Sequence, residues 1–180
     1  SGLVGLAGMK MQRNYQSVSI IRPLLKRKKA ELRAYCKHEN INIVEDPTNT
    51  DLKYDRVKAR NHLNTDNKLS SQLLQASVYF DKIVRVFKEH CNAWSRENIK
   101  IELPIYASFK ISEFNGLPEL MRTHLFQQLL WQIGAGHYPA SLNSIRIGVN
   151  KIEARVKFTL AGCVVCPKNE RLEIHAERKR

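Results

Sequence analysis

Arg56, Lys58 and Arg60 stand within five residues of one another, shortly after the acidic pair Glu45 and Asp46. On a helix Arg56 and Arg60 lie one turn apart on one face, where like charges cost roughly 0.2–0.5 kcal/mol. A phosphate between them reverses that sign, because two guanidinium forks then make charge-assisted bonds to its oxygens. A structural alternative fits the same residues: Glu45 and Asp46 neutralise the arginines in an ion-pair cluster. The two uses are compatible, since a carboxylate that fixes a guanidinium also aims it.

Other residues offer less. The run Lys26-Arg27-Lys28-Lys29 suits a solvated helix face, although RNA phosphates would use the same side chains. Cys163 and Cys166 have the spacing of half a zinc site, but no second pair completes four ligands. In a strand their sulfurs would also point to opposite faces, so buried strand cysteines are expected and no metal. His62 follows the arginines and is read as a surface or capping residue. Trp94 and Trp131 fall in helical apolar stripes and are expected in the core. The chain has no GxxxxGK[ST], GxGxxG or GxSxG motif and no Ser-Gly-Gly-x-Asp-Ser loop, hence no recognised backbone cradle for a triphosphate.

The elements that must position these residues follow from pattern. Three glycines in SGLVGLAGM suggest a tight loop, and SVSIIRPLL a short strand or extended segment ending at Pro23. Residues 26–40 read as a helix, INIVE as a strand and DPTNTD as a turn, with Asp51 capping a helix from about Lys53. From 69 to 94 apolar residues recur at three- and four-residue steps, a long amphipathic helix. A domain boundary is placed at TDNK just before it. Further helices are expected over about 118–134 and 141–152, an extended segment around Pro104, and a C-terminal hairpin turning at PKNE.

Bulk properties agree with a polyanion partner. The net charge is +13, of which residues 1–63 hold +7. Four cysteines are too few for a disulfide scaffold and suit a reducing cytoplasm. No apolar run reaches the roughly eighteen residues of a membrane span, so no membrane role is expected. A stand-alone, non-enzymatic basic RNA-binding module satisfies these constraints, as does part of a larger enzyme; a duplex-DNA binder lacks a recognition-helix motif.

Three stretches resemble the tRNA(Ile)-lysidine synthases of the PP-loop ATP pyrophosphatase superfamily. SGLVGLAGM is similar to the end of their RGSG-x-x-GL-x-GM element, and IIRPLLKRKKAELRAYC to their RPLL segment and K-x-EL helix. VEDPTNTDLKYDRVKARNHL is similar to their ED-x-[ST]-N turn and Y-x-R-x-x-x-R helix, although Val57 stands where Asn is common. LPELMRTHLFQQLL and LAGCVV fit their helical domain more loosely. The resemblance implies an ATP-dependent C–N ligase acting through an adenylated base, with tRNA, L-lysine, ATP and Mg2+ as partners of the full-length enzyme. A homodimer is compatible with it.

By the same resemblance Arg56, Lys58 and Arg60 would face tRNA or the intermediate, supported by Glu45 and Asp46, while Ser1 and Gly2 would lie near the nucleotide and lysine pocket. The expected fold is α+β: the remnant of an α/β nucleotide-binding domain (1–64), then a mainly helical tRNA-binding domain with a C-terminal β-hairpin (65–180). The chain is expected to be a C-terminal portion without the nucleotide loop, inactive alone.

Overall fold

The computed structural model of the chain describes residues 2–15, 18–102, 106–134 and 140–177. It is α+β, as expected, and divides into two compact units, Ser1–Arg85 and Val86–Arg180.

In the first unit, Gly2–Leu6 form a short helix, α1, rather than the expected loop. It ends where Gly8 takes a left-handed φ of 71°, the conformation glycine adopts without steric cost, and donates its N–H to the Gly5 carbonyl at 3.2 Å. Strands β1 (Gln12–Tyr15) and β2 (Val18–Ile21) pair antiparallel, Gln12 opposite Ile21. Helix α2 (Lys29–His38) closes with Asn40 at a φ of 55°. Asn40 donates to the Lys37 carbonyl and Ile41 to that of Cys36, so the last carbonyls of the helix are satisfied by a Schellman turn.

The segment after it corrects one expectation. Residues 41–46 take no regular secondary structure: a strand needs a neighbour for its backbone bonds, and none pairs with them among the described residues. The expected turn follows as a single 3-10 turn over Pro47–Asn49. Asp51 accepts the Lys53 N–H at 2.9 Å and so caps that bend, while helix α3 begins only at Asp55 and runs to Thr65. Asp66 breaks the helical run and caps the next helix, α4 (Asn67–Asn98), accepting from the Leu69 N–H at 2.8 Å. Lys10 reaches Asp81 on α4 at 3.2 Å, and this bond chiefly holds the Asp81 carboxyl below its usual range.

The second unit carries a five-stranded antiparallel sheet in the order β3-β4-β7-β6-β5. Its strands are β3 (Lys100–Glu102), β4 (Tyr106–Lys110), β5 (Phe158–Leu160), β6 (Cys163–Lys168) and β7 (Arg171–Ala176). The expected hairpin is β6–β7, and it sits inside this larger sheet. The part of α4 from Val86 onward and three further helices complete the unit: α5 (Ile111–Asn115), α6 (Glu119–Ile133) and α7 (Leu142–Glu153). Helix α6 packs against β4 and β7, and α7 against β5. Phe109, Phe114, Phe126, Ile145, Leu172 and Ile174 are fully buried between them.

Trp94 packs edge-on to Phe109 with centroids 6.3 Å apart, in keeping with a core role. Trp131 does not. Helix α6 points Leu125, Phe126, Leu129, Leu130 and Ile133 inward, and Trp131, off that stripe, is 43% exposed. Cys163 is fully buried, and burial pushes its thiol up to about 11.

Two tests of this core follow. A Cβ at Gly148 on α7 would stand 2.6 Å from the ring of buried Phe126. Overpacking costs about 1–3 kcal/mol against a helix-propensity gain of about 1 for alanine. Gly148→Ala is expected to lower stability by up to about 2 kcal/mol in urea titration. His124 on α6 packs on Phe87 at 5.1 Å with its Nε2 buried and unpartnered. Burial first, and then the Lys88 charge, depress its pKa below 6.5. The unfolded chain therefore binds the proton more readily, and stability is lost as pH falls below the unfolded value through the depressed one. His124→Leu is expected to flatten the pH dependence of the melting temperature below about pH 6.5.

Candidate nucleic-acid interface

Helix α3 carries Arg56, Lys58 and Arg60 together. Val57 is the residue that orients it: at 2% exposed it is the helix's buried side chain, and both arginines beside it are exposed. An asparagine there would take an amide into the same buried position, so the valine serves packing. The Arg56 guanidinium lies over the Tyr54 ring, 5.0 Å from its centroid, an attraction to the negative face of the aromatic. Lys58 pairs one turn back with Asp55 at 3.1 Å, an exposed pair worth little.

The acidic bend does not neutralise these arginines by contact. Glu45 pairs with Arg33 of α2. Asp46 accepts the Thr48 N–H at 2.8 Å and caps the 3-10 turn. That backbone bond first, the Thr48 side chain next, and the charge of Arg56 as the smallest contribution hold its carboxyl below the usual range. Among the described residues no ion pair joins Arg56 or Arg60 to a carboxylate. The structural ion-pair cluster weighed for these residues is therefore not formed. His62 is exposed in the last turn of α3.

Residues 43–49 and α2 line an open hollow of about 290 Å3. Leu32, Cys36, Ile43 and Val44 line it, with the Arg33–Glu45 pair in its wall. Gly2 lies on α1 and makes no hydrogen bond to these residues among those described; Ser1 lies outside the described residues. The motif showed the arginines and the acidic turn. It did not show that Arg33 takes Glu45, because that pairing depends on how the chain reverses after α2. Tyr54, two residues before Arg56, was visible only as part of the Y-x-R pattern.

Comparison with known proteins gives first a class. Residues 1–67 match the family described as a PP-loop domain. More particularly, the chain is similar to curated tRNA(Ile)-lysidine synthases. That of Wolbachia pipientis wMel is 27% identical over 186 aligned residues, covering 100% of this chain and 43% of the relative. That of Ruegeria pomeroyi is 25% identical, covering 99% and 43%. That of Haemophilus ducreyi is 31% identical, covering 73% and 31%. The resemblance read from the motifs is thus borne out and extends along the whole chain, which spans less than half the length of these relatives.

Because both arginines are exposed and bear no partner carboxylate, Arg56→Ala with Arg60→Ala is expected to change folding stability by less than about 0.5 kcal/mol in chemical denaturation. A larger loss would return them to a structural role.

Proposed function

We propose that the chain works as part of a tRNA(Ile)-lysidine synthase, residues 1–64 completing the ATP-using catalytic domain and residues 65–180 binding tRNA. In that reaction ATP adenylates the wobble cytidine of a minor isoleucine tRNA and releases pyrophosphate. The lysine amine then attacks the activated base, forming the C–N bond and expelling AMP. The observation that carries the proposal is the pair of exposed arginines on α3, with no ion pair to a carboxylate among the described residues, within the region of most specific sequence likeness.

In this reading Arg56 and Arg60 bind tRNA backbone or the adenylated intermediate, and Lys58 adds charge beside them. Tyr54 and the Asp46-capped turn position α3. The described residues present neither a glycine-rich phosphate cradle nor a cluster of three His, Cys, Asp or Glu side chains suited to a metal. In this reading ATP and Mg2+ are co-substrates of the whole synthase, and this chain's share is chiefly the handling of tRNA. None of its helices among the described residues is long and apolar enough to cross a membrane.

Incubated with tRNA, ATP and lysine, the chain alone is expected to form no lysidine; its appearance in nucleoside analysis would overturn the division of labour. In tRNA-binding titrations over a range of salt, Arg56→Ala with Arg60→Ala is expected to flatten the log–log slope by about 1.4–1.8. An unchanged slope would place the RNA elsewhere.

A further inference from the structure

The helices of the second unit cover one face of the five-stranded sheet. Ala107, Phe109, Val165, Leu172 and Ile174 point into that core and are fully buried. The alternating residues of the same strands face away, and strand register sorts them into rows. In one row Lys110, Arg171 and Lys168 lie directly opposite one another across β4, β7 and β6. Like charges in register repel, so three adjacent cations carry a cost that the sheet alone does not require. Among the described residues Arg171 forms no ion pair; its Nη2 donates instead to the Ser108 hydroxyl at 3.1 Å and carbonyl at 3.3 Å, which holds the guanidinium in place. Lys110 reaches Glu113 at 3.1 Å and Lys168 reaches Glu173 at 3.6 Å, both through partly exposed pairs of small worth.

Four residues along β4, about 13 Å away, the register places Tyr106 opposite His175. Their rings pack with centroids 4.9 Å apart and an interplanar angle of 48°. The His175 side chain is 40% exposed, and its Nε2 meets Glu173 at 3.4 Å. One face therefore presents an aromatic pair at one end and a row of cations at the other, with Glu173 in the row between them, opposite Ser108 and Cys166. Unpaired nucleotides have matching parts: bases that stack on rings and phosphates that seek lysine and arginine. Apolar partners would leave the cations unmatched, and regular duplex would hide its bases from the rings.

We propose that this outer sheet face binds an unpaired stretch of RNA, with Tyr106 and His175 stacking a base and Lys110, Arg171 and Lys168 holding the adjoining phosphates. The proposal rests on the reading of this chain as tRNA-binding and assigns that reading a second surface, apart from α3. It is tested with the full chain, titrating an isoleucine tRNA transcript and a single-stranded RNA 12-mer across a range of salt.

Tyr106→Ala is expected to weaken binding about 5- to 100-fold with the salt slope unchanged, since stacking releases no counterions, and Tyr106→Phe to retain affinity. Lys110→Ala with Lys168→Ala is expected to lower the log–log slope by about 1.4. Wild-type protein photo-crosslinked to 4-thiouridine RNA is expected to carry the label on peptides from β4 or β7, a readout that needs no variant to fold. Wild-type affinity in both variants, or crosslinks confined to α3, would overturn this surface and leave the function proposed above standing. No binding of either RNA would overturn both.

Discussion

A cation holds a ligand strongly only where no closer anion has already neutralised it. In the first unit the carboxylates near α3 are committed elsewhere: Glu45 to Arg33, Asp55 to Lys58, and Asp46 to the backbone of its own turn. Arg56 is steadied chiefly by an aromatic ring instead, and it acts on Asp46 only as the smallest of the contributions that lower that carboxyl. The second unit repeats the arrangement with different means, a serine hydroxyl and carbonyl holding Arg171. In both places a neutral group positions an arginine, while the lysines beside them keep only exposed or partly exposed carboxylate pairs of small worth.

Burial is distributed very unevenly between the two units. The second has a continuous core of helices against sheet, whereas in the first Val18, Ile21, Leu24, Tyr35 and Val44 are all exposed and Val57 and Val84 are its buried large side chains. Hydrophobic burial is the dominant favourable contribution to folding, and among the described residues most of it lies in the second unit. The elements of the first unit make local bonds: a helix cap, a hairpin and the Lys10–Asp81 pair.

Sequence pattern served best where a period was long and unambiguous. The spacing of apolar residues showed the long helix α4 and the inward face of α6 through Met121, Leu125, Leu129 and Ile133, of which Met121 is half-buried. It failed at Trp131, whose neighbour Leu130 takes the inward position, because a stripe one residue wide leaves bulky residues at its edge undecided. INIVE has the composition of a strand and lacks a partner, a property no local pattern encodes. The α3 arginines were legible as a pair, yet their freedom from Glu45 was not, since that depends on the pairing of residues twelve positions apart. The sheet-face rows were hidden for the same reason: Lys110 and Arg171 become neighbours only through the register of β4 on β7.

The left-handed twist at Asn40 has a consequence that reaches well past its own helix. By reversing the chain there, it runs residues 43–45 back alongside Leu32 and Arg33, so that Glu45 arrives at a guanidinium of α2. Had the backbone continued straight, that acid would have been loose in the vicinity of a strongly basic helix. One torsion angle thus decides which arginine of the neighbourhood is silenced and which are left audible to an approaching polyanion.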